Sequence, residues 1–258
     1  MSTHALPTYV NIELRRQLRM FSSVFFMVVL PIALYLIFGG MQEFATFELP
    51  NGRGNISGSV AIAFAAYGAI TATAGLAGSA ALEMQQGWGR QLALTPFSSG
   101  SFVAGKTIVA LALAVLPVLG VYGAGMLTSA RMQPWVWVTA GLIIVAASSV
   151  FALYGLAIGL WFRSEGAVSA ASGMIVILMF LGNAFVPLSG FLQDFSVYTP
   201  VWGIMQLAQW PLLEGVVSDS QGNLTEYALW QPIVNVVVWV AVFAIAAYVG
   251  TRRGTARR

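Results

Sequence analysis

The charged residues of this chain leave seven long uncharged windows, from Met20 to Gln42, Gly54 to Leu82, Thr107 to Ala130, Met132 to Phe162, Gly166 to Gln193, Phe195 to Leu213 and Tyr227 to Thr251. A charge at the centre of a bilayer costs several kcal/mol, so charges bracket membrane spans rather than sit inside them. A helix needs about twenty apolar residues to cross. Six windows meet that requirement. Phe195 to Leu213 does not, because it carries Ser196, Thr199, Pro200, Gln206, Gln209 and Pro211, and it is expected to be interfacial or re-entrant.

Composition agrees: 8% of the 258 residues are charged and 58% are hydrophobic, where a soluble domain has roughly a quarter charged. The windows lack strict β-alternation and are too long for barrel strands of about ten residues. The expected fold class is therefore an all-α membrane protein, one domain over 1–258. Its six transmembrane helices are placed at about 20–40, 58–82, 107–129, 135–162, 167–188 and 230–250, with an outer element at about 189–213. Pro31 and Pro117 inside spans predict kinks rather than breaks, because neighbouring helices can satisfy the freed carbonyls.

An even number of crossings puts both termini on one side, and the basic residues say which. With the termini in the cytoplasm, Arg15, Arg16, Arg19, Arg90, Lys106, Arg163, Arg252, Arg253, Arg257 and Arg258 lie inside, and only Arg53 and Arg131 lie outside. The expected location is the inner (plasma) membrane, with no cleaved signal peptide.

Several chemistries are excluded. The chain has no Cys, and its one His, His4, sits in a polar tip, so no disulfide, metal site or cysteine nucleophile is expected. No pair of membrane acids is available for an intramembrane enzyme, and no carboxylate lies clearly within a span for an ion-coupled carrier or channel. No cofactor and no nucleic acid is expected to bind. Gly100 to Thr107 matches the phosphate-loop pattern G-x-x-x-x-G-K-[ST], but Thr107 opens a membrane span and the chain has no room for a nucleotide-binding fold. The glycosylation patterns at Asn55 and Asn223 are read as bare turns. Gly155 and Gly159 in the fourth span are read as ordinary close packing. Asn183, Asn235 and Tyr154 are the candidates for a substrate path, structural hydrogen bonding being the alternative for the two amides.

Two cytoplasmic segments carry most of the functional information. Before the first span, Val10, Leu14, Leu18 and Phe21 recur at helical spacing while Arg15, Arg16 and Arg19 take other faces, which predicts an amphipathic helix over about 7–19 lying at the inner interface against membrane lipid. The second segment runs from Glu83 to Lys106. Pro96 should end a short helix built from Trp88 to Leu94, whose Trp88, Leu92, Leu94 and nearby Phe97 either dock on a partner or pack against the membrane interface.

Here the chain resembles the permease subunits of ABC-2 type exporters. In that family a span ends in a Glu, followed by a Gly-rich step, an Arg, Leu residues, Thr-Pro, a Ser and Gly-Lys. This chain has Glu83, Gly87, Arg90, Gln91, Leu92, Leu94, Thr95, Pro96, Ser98, Gly105 and Lys106 in that order. Pro187 to Leu192, with Gly190, and Tyr198 to Pro200 are similar to the family's outer re-entrant hairpin. Two positions depart from the pattern: Trp88 stands where a small or hydroxyl residue is usual, and Gly100 to Ala104 lacks an acid.

The resemblance implies an elbow helix carrying Arg15, Arg16 and Arg19, and a coupling segment over 83–106 with contact residues from Glu83 to Pro96. It also implies two separate ABC ATPase subunits that use ATP and Mg, and a second permease, expected to be a copy of this chain. The implied activity is export of an amphipathic drug, antibiotic or lipid-like substrate, as in multidrug efflux and antibiotic resistance, with saccharide export as the alternative.

Overall fold

The structure is a computed structural model that describes residues 5–88 and 99–255. Of the segment expected to contact an ATPase, Arg90, Gln91, Leu92, Leu94, Thr95 and Pro96 lie outside the described residues. Nine helices order the described chain: α1 Ala5–Arg19, α2 Phe21–Gly40, α3 Ile56–Glu83, α4 Ser99–Leu127, α5 Pro134–Phe162, α6 Glu165–Leu181, α7 Phe191–Ser196, α8 Pro200–Leu213 and α9 Trp230–Thr255. A two-stranded antiparallel hairpin, β1 Val216–Ser218 with β2 Leu224–Glu226, precedes α9, and Asp219 closes its turn by accepting from the Gln221 and Asn223 amides at 2.8 Å.

Five helices are long and apolar enough to cross a membrane: α2, α3, α4, α5 and α9. The protein is thus a multi-pass membrane protein by helix length and composition. The sixth apolar helix, α6, has 17 residues, or about 26 Å at 1.5 Å per residue, close to the thickness of a thin bilayer core. The sequence places this helix over 167–188, but it ends at Leu181. Gly182 leans on Val201 of α8, where a Cβ would come within 2.9 Å, and Asn183 takes a left-handed φ of 57°. Asn183 Oδ1 then accepts from the Leu188 amide at 2.8 Å, which commits the chain to a turn.

The core is built around α3. Its buried residues are mostly small, among them Ala61, Ala65, Ala66, Ala69 and Ala74. Lipid is as apolar as a leucine side chain, so helices in a bilayer associate through close packing rather than through escape from water. At Gly155 of α5, a Cβ would lie 1.9 Å from the Ala74 carbonyl oxygen, and Gly159 meets Gly78 in the same way. This pair of glycines is the seam between α3 and α5. Outward-facing positions carry large apolar groups, such as Leu119, Leu142, Val237 and Ile245.

Pro31 leaves α2 continuous. The helix accommodates it by widening into π turns at Phe25–Val29 and Leu36–Gly40, on either side of the α-helical stretch Leu30–Tyr35. Pro117 sits within an unbroken α4.

At the end of the bundle formed by the α2–α3 connection, several polar groups bond to one another. The Tyr35 hydroxyl lies 2.9 Å from both Ser57 Oγ and Thr128 Oγ1. Asn55, 1% exposed, caps α3 through the Gly58 amide, accepts from the Arg131 amide and donates to the Ser129 carbonyl. An asparagine so enclosed cannot carry a glycan in the folded protein. Asn223, by contrast, is exposed in the hairpin turn.

Candidate functional site

The helix α1 turns a mixed face to the bundle. Of the apolar stripe expected against membrane lipid, Leu18 is 43% and Phe21, the first residue of α2, 81% exposed, Val10 and Leu14 pack partly on the bundle, and the polar Glu13 and Gln17 are buried. Chemistry on a neighbouring helix explains the buried polar pair. Lys106 of α4 is itself buried, and an ammonium out of water needs anionic partners. Its Nζ lies 2.7 Å from Glu13 Oε1 and 2.7 Å from Glu83 Oε2.

Arg16 completes a four-charge hub. Its Nη2 donates to Glu13 Oε1 at 2.7 Å and to Glu83 Oε1 at 2.5 Å. Gln17 Nε2 adds a third donor to Glu13 Oε1 at 3.2 Å. One carboxylate oxygen thus accepts from three side chains, and Glu83 spans the two cations with its two oxygens. The hub contains two acids and two bases, so its formal charge is zero.

Burial alone would raise the pKa of Glu13. The hydrogen bond and charge of Lys106 outweigh it and, with Gln17 and Arg16, hold the carboxyl below the usual range. Burial works against the Arg16 cation in the same way, but its hydrogen bond to Glu83 and the charges of Glu13 and Glu83 raise it above its ordinary value. Tyr9, one turn before Glu13, is shifted upward by burial and then by both carboxylates.

Shape supports the charges. Tyr9 packs on Phe102 with ring centroids 5.9 Å apart, and Lys106 Nζ lies 5.6 Å over the Phe102 ring. Gly105 is the floor for Tyr9, since a Cβ there would come within 2.6 Å of the tyrosine ring. The phosphate-loop pattern is thereby accounted for. Its residues from Ser99 onward lie in a helix, Gly105 seats a tyrosine, Lys106 is committed to two carboxylates, and Thr107 donates to the Val103 carbonyl.

The hub therefore ties α1 to both roots of the Glu83 to Lys106 segment. A further tie lies just beyond Glu83, in the π turn Met84–Trp88, where Gln85 Nε2 donates to the Gly159 carbonyl at 3.3 Å at the end of α5. Gly87 follows with φ 108°, a conformation that only glycine adopts freely, so the chain leaves α3 at an angle.

The remaining predicted residues are dispersed. Arg15 and Arg19 are exposed on α1. Tyr154 donates to the Ala171 carbonyl at 3.1 Å, and Asn235 Nδ2 donates to the Val197 and Thr199 carbonyls at 2.7 and 3.1 Å. Asn183 holds its own turn, and Tyr154 and Asn235 bond to neighbouring backbone segments, Asn235 Oδ1 being buried with no hydrogen-bond partner among the described residues. Pro187 and Gly190 lie in the connection between α6 and α7, and Pro200 opens α8. Sequence reasoning did not find Glu13, Gln17 or Lys106 as partners, although a lone lysine at the mouth of a span, with few acids available to neutralise it, was a usable signal.

Beside the hub lies a cavity of about 720 Å³ between α1, α2, α3 and α6. Arg16 and Glu83 belong to both. No protein-family profile matches this chain, and no curated protein does.

Proposed function

We propose that this chain is the membrane-embedded permease subunit of an ATP-driven exporter of the ABC-2 type, with ATP hydrolysis on separate partner subunits. In this reading α6 completes six crossings, both termini are cytoplasmic and α1 is the elbow helix. The segment after Glu83 contacts the ATPase, and α7 with α8 forms the outer re-entrant hairpin. A second copy of the chain completes the translocation unit.

The observation that carries the reading is the hub. A force applied to the Glu83 to Lys106 segment reaches α3 through Glu83, α4 through Lys106 and the elbow through Glu13 and Arg16. For such a device to work, the ATPase must bind the segment differently in its two states. The cavity's Met27, Leu30, Leu76 and Val168 favour an amphipathic cargo over a saccharide, which needs many fixed polar partners.

Affinity purification of the full chain from its native host tests this. An ABC ATPase should co-purify, and Arg90→Glu should uncouple hydrolysis from transport while the bundle stays folded. Recovery of the chain without any ATPase, or hydrolysis by the purified chain alone, would overturn the division of labour.

A further inference from the structure

The cavity next to the hub has a chemistry that selects its ligand. Its lining runs along α3 from Glu83 to Tyr67 and along α6 from Glu165 to Val176, roughly 24 and 16 Å at 1.5 Å per residue. It thus reaches more than half-way across a hydrocarbon core of about 30 Å. Its volume falls within the range of pockets that hold drug-sized molecules, roughly 300–1,000 Å³.

The walls change character with depth. Ionisable and amide groups gather at the Glu83 end, and aliphatic and aromatic groups such as Leu30, Tyr67 and Val176 line the deep end. Two of the hydroxyls between them are satisfied within their own helices: Ser79 donates to the Gly75 carbonyl at 2.9 Å and Ser172 to the Val168 carbonyl at 3.0 Å. Thr71 Oγ1, also on the lining, is buried with no hydrogen-bond partner among the described residues. The wall accommodates apolar bulk beside a polar end and offers a ligand few hydrogen bonds.

Charge decides the rest. Three ionisable side chains line the cavity, Arg16, Glu83 and Glu165. Arg16 is shared by Glu13 and Glu83, and Glu83 is also held by Lys106. Glu165 makes no ion pair among the described residues. The lining itself carries two carboxylates, Glu83 and Glu165, against one cation, Arg16, so its formal charge is −1, with Glu165 exposed at the rim. That charge favours a cation over an anion of the same shape.

We propose that this cavity binds a lipophilic monovalent cation, its apolar body between α2, α3 and α6 and its charge beside Glu165 and the Glu83 edge of the hub. A cation whose charge is spread over a large apolar body loses little hydration on entry, which suits a site that offers few donors. Calling this ligand a transported one rests on the exporter reading; its binding does not.

The probes are tetraphenylphosphonium and tetraphenylborate, which match in size and shape and differ in sign. The full chain in nanodiscs should bind the phosphonium saturably, above empty nanodiscs, and should show no saturable borate binding. Glu165→Gln should weaken phosphonium binding about three- to tenfold, as expected for one charge at a partly hydrated site. Gly173→Leu should abolish it, because Gly173 lines the cavity and a Cβ there meets nothing within 4 Å, leaving room from which a larger side chain can occupy the site. Ser169→Leu, also on the lining, is the second obstructing variant should the first fail to fold.

Equal binding of both ions, unchanged affinity in Glu165→Gln, or binding that survives both obstructing variants would each overturn the proposal. If the phosphonium binds as expected yet leaves the ATPase rate of the co-purified complex unchanged, the site stands and the exporter reading loses support.

Discussion

Replacing Glu13 by Gln keeps the shape of the hub and removes one charge. The carbonyl of Gln can still accept from Arg16, Gln17 and Lys106, so the cost isolates the electrostatic part of three contacts to one oxygen. The side chains of Glu13 and Lys106 are each only 7% exposed, so water screens their pair little. Lys106 is not stranded, because Glu83 remains 2.7 Å away. The expected loss is therefore about 2 kcal/mol, the scale of a hydrogen bond to a charged group, rather than the 3–5 of a fully orphaned buried ion. Lys106→Met leaves two carboxylates sharing Arg16, and should cost about 3 kcal/mol.

The double variant Glu13→Gln with Lys106→Met returns the hub to zero charge, with Arg16 facing Glu83. It should be destabilised less than the sum of the singles by about 2 kcal/mol, the coupling expected of residues in one network. Unfolding in mixed micelles titrated with dodecyl sulfate, followed by the fluorescence of the eight tryptophans, measures all four proteins. Strict additivity, or a Lys106→Met variant as stable as the parent, would refute the description of these four side chains as one interacting unit.

Three other outcomes follow from the geometry. The carboxyl of Glu13 titrates lower in the folded chain than its ordinary value of 4.5, so its contribution is complete above that pH and is lost as pH falls through the lower folded value; the stability gap between parent and Glu13→Gln should shrink between pH 5 and pH 3, and a constant gap would contradict it. Gly155→Ala pushes a methyl into the Ala74 carbonyl and should cost about 2–3 kcal/mol, whereas Gly173→Ala, with open space at its Cβ, should cost nothing; equal effects in the same unfolding assay would dissolve the seam between α3 and α5. Because the chain has no cysteine, single replacements report sidedness cleanly: Ser220→Cys should react with an impermeant maleimide on intact cells and Ser164→Cys only after permeabilisation, and the reverse pattern would invert the orientation.

The spans were legible because lipid enforces a simple rule. Charged residues mark where the chain leaves the bilayer, so the expected 20–40 and 135–162 match the observed Phe21–Gly40 and Pro134–Phe162 closely. What the rule cannot see is contact between helices. The end of α6 depends on Val201 crowding Gly182, a neighbour from a later part of the chain. The polar contact of α1 was hidden for a deeper reason. Hydrophobic periodicity marks the side that avoids water, here the stripe expected against lipid, and says nothing of Glu13 turning into the protein to meet a cation. That cation stands 93 positions away, beyond the reach of any local pattern. Of the segment from Glu83 to Lys106, its two charged ends proved to be partners in one cluster, which the resemblance alone did not say.

Lys106 also bears on how such a chain is made. Proteins emerge from the ribosome N-terminus first, so Glu13 and Glu83 precede Lys106, in the early turns of α4, out of the ribosome. The ammonium enters an edge of the bilayer where both counter-charges are waiting, and α1 is folded back as it does so. A permuted chain that began between Glu83 and Lys106 would deliver that lysine first, unpaired, and would have to hold it at the lipid boundary until more than a hundred further residues had been inserted. The order of charges along this polypeptide therefore leaves α4 to bring the last member of the hub to α1 and α3.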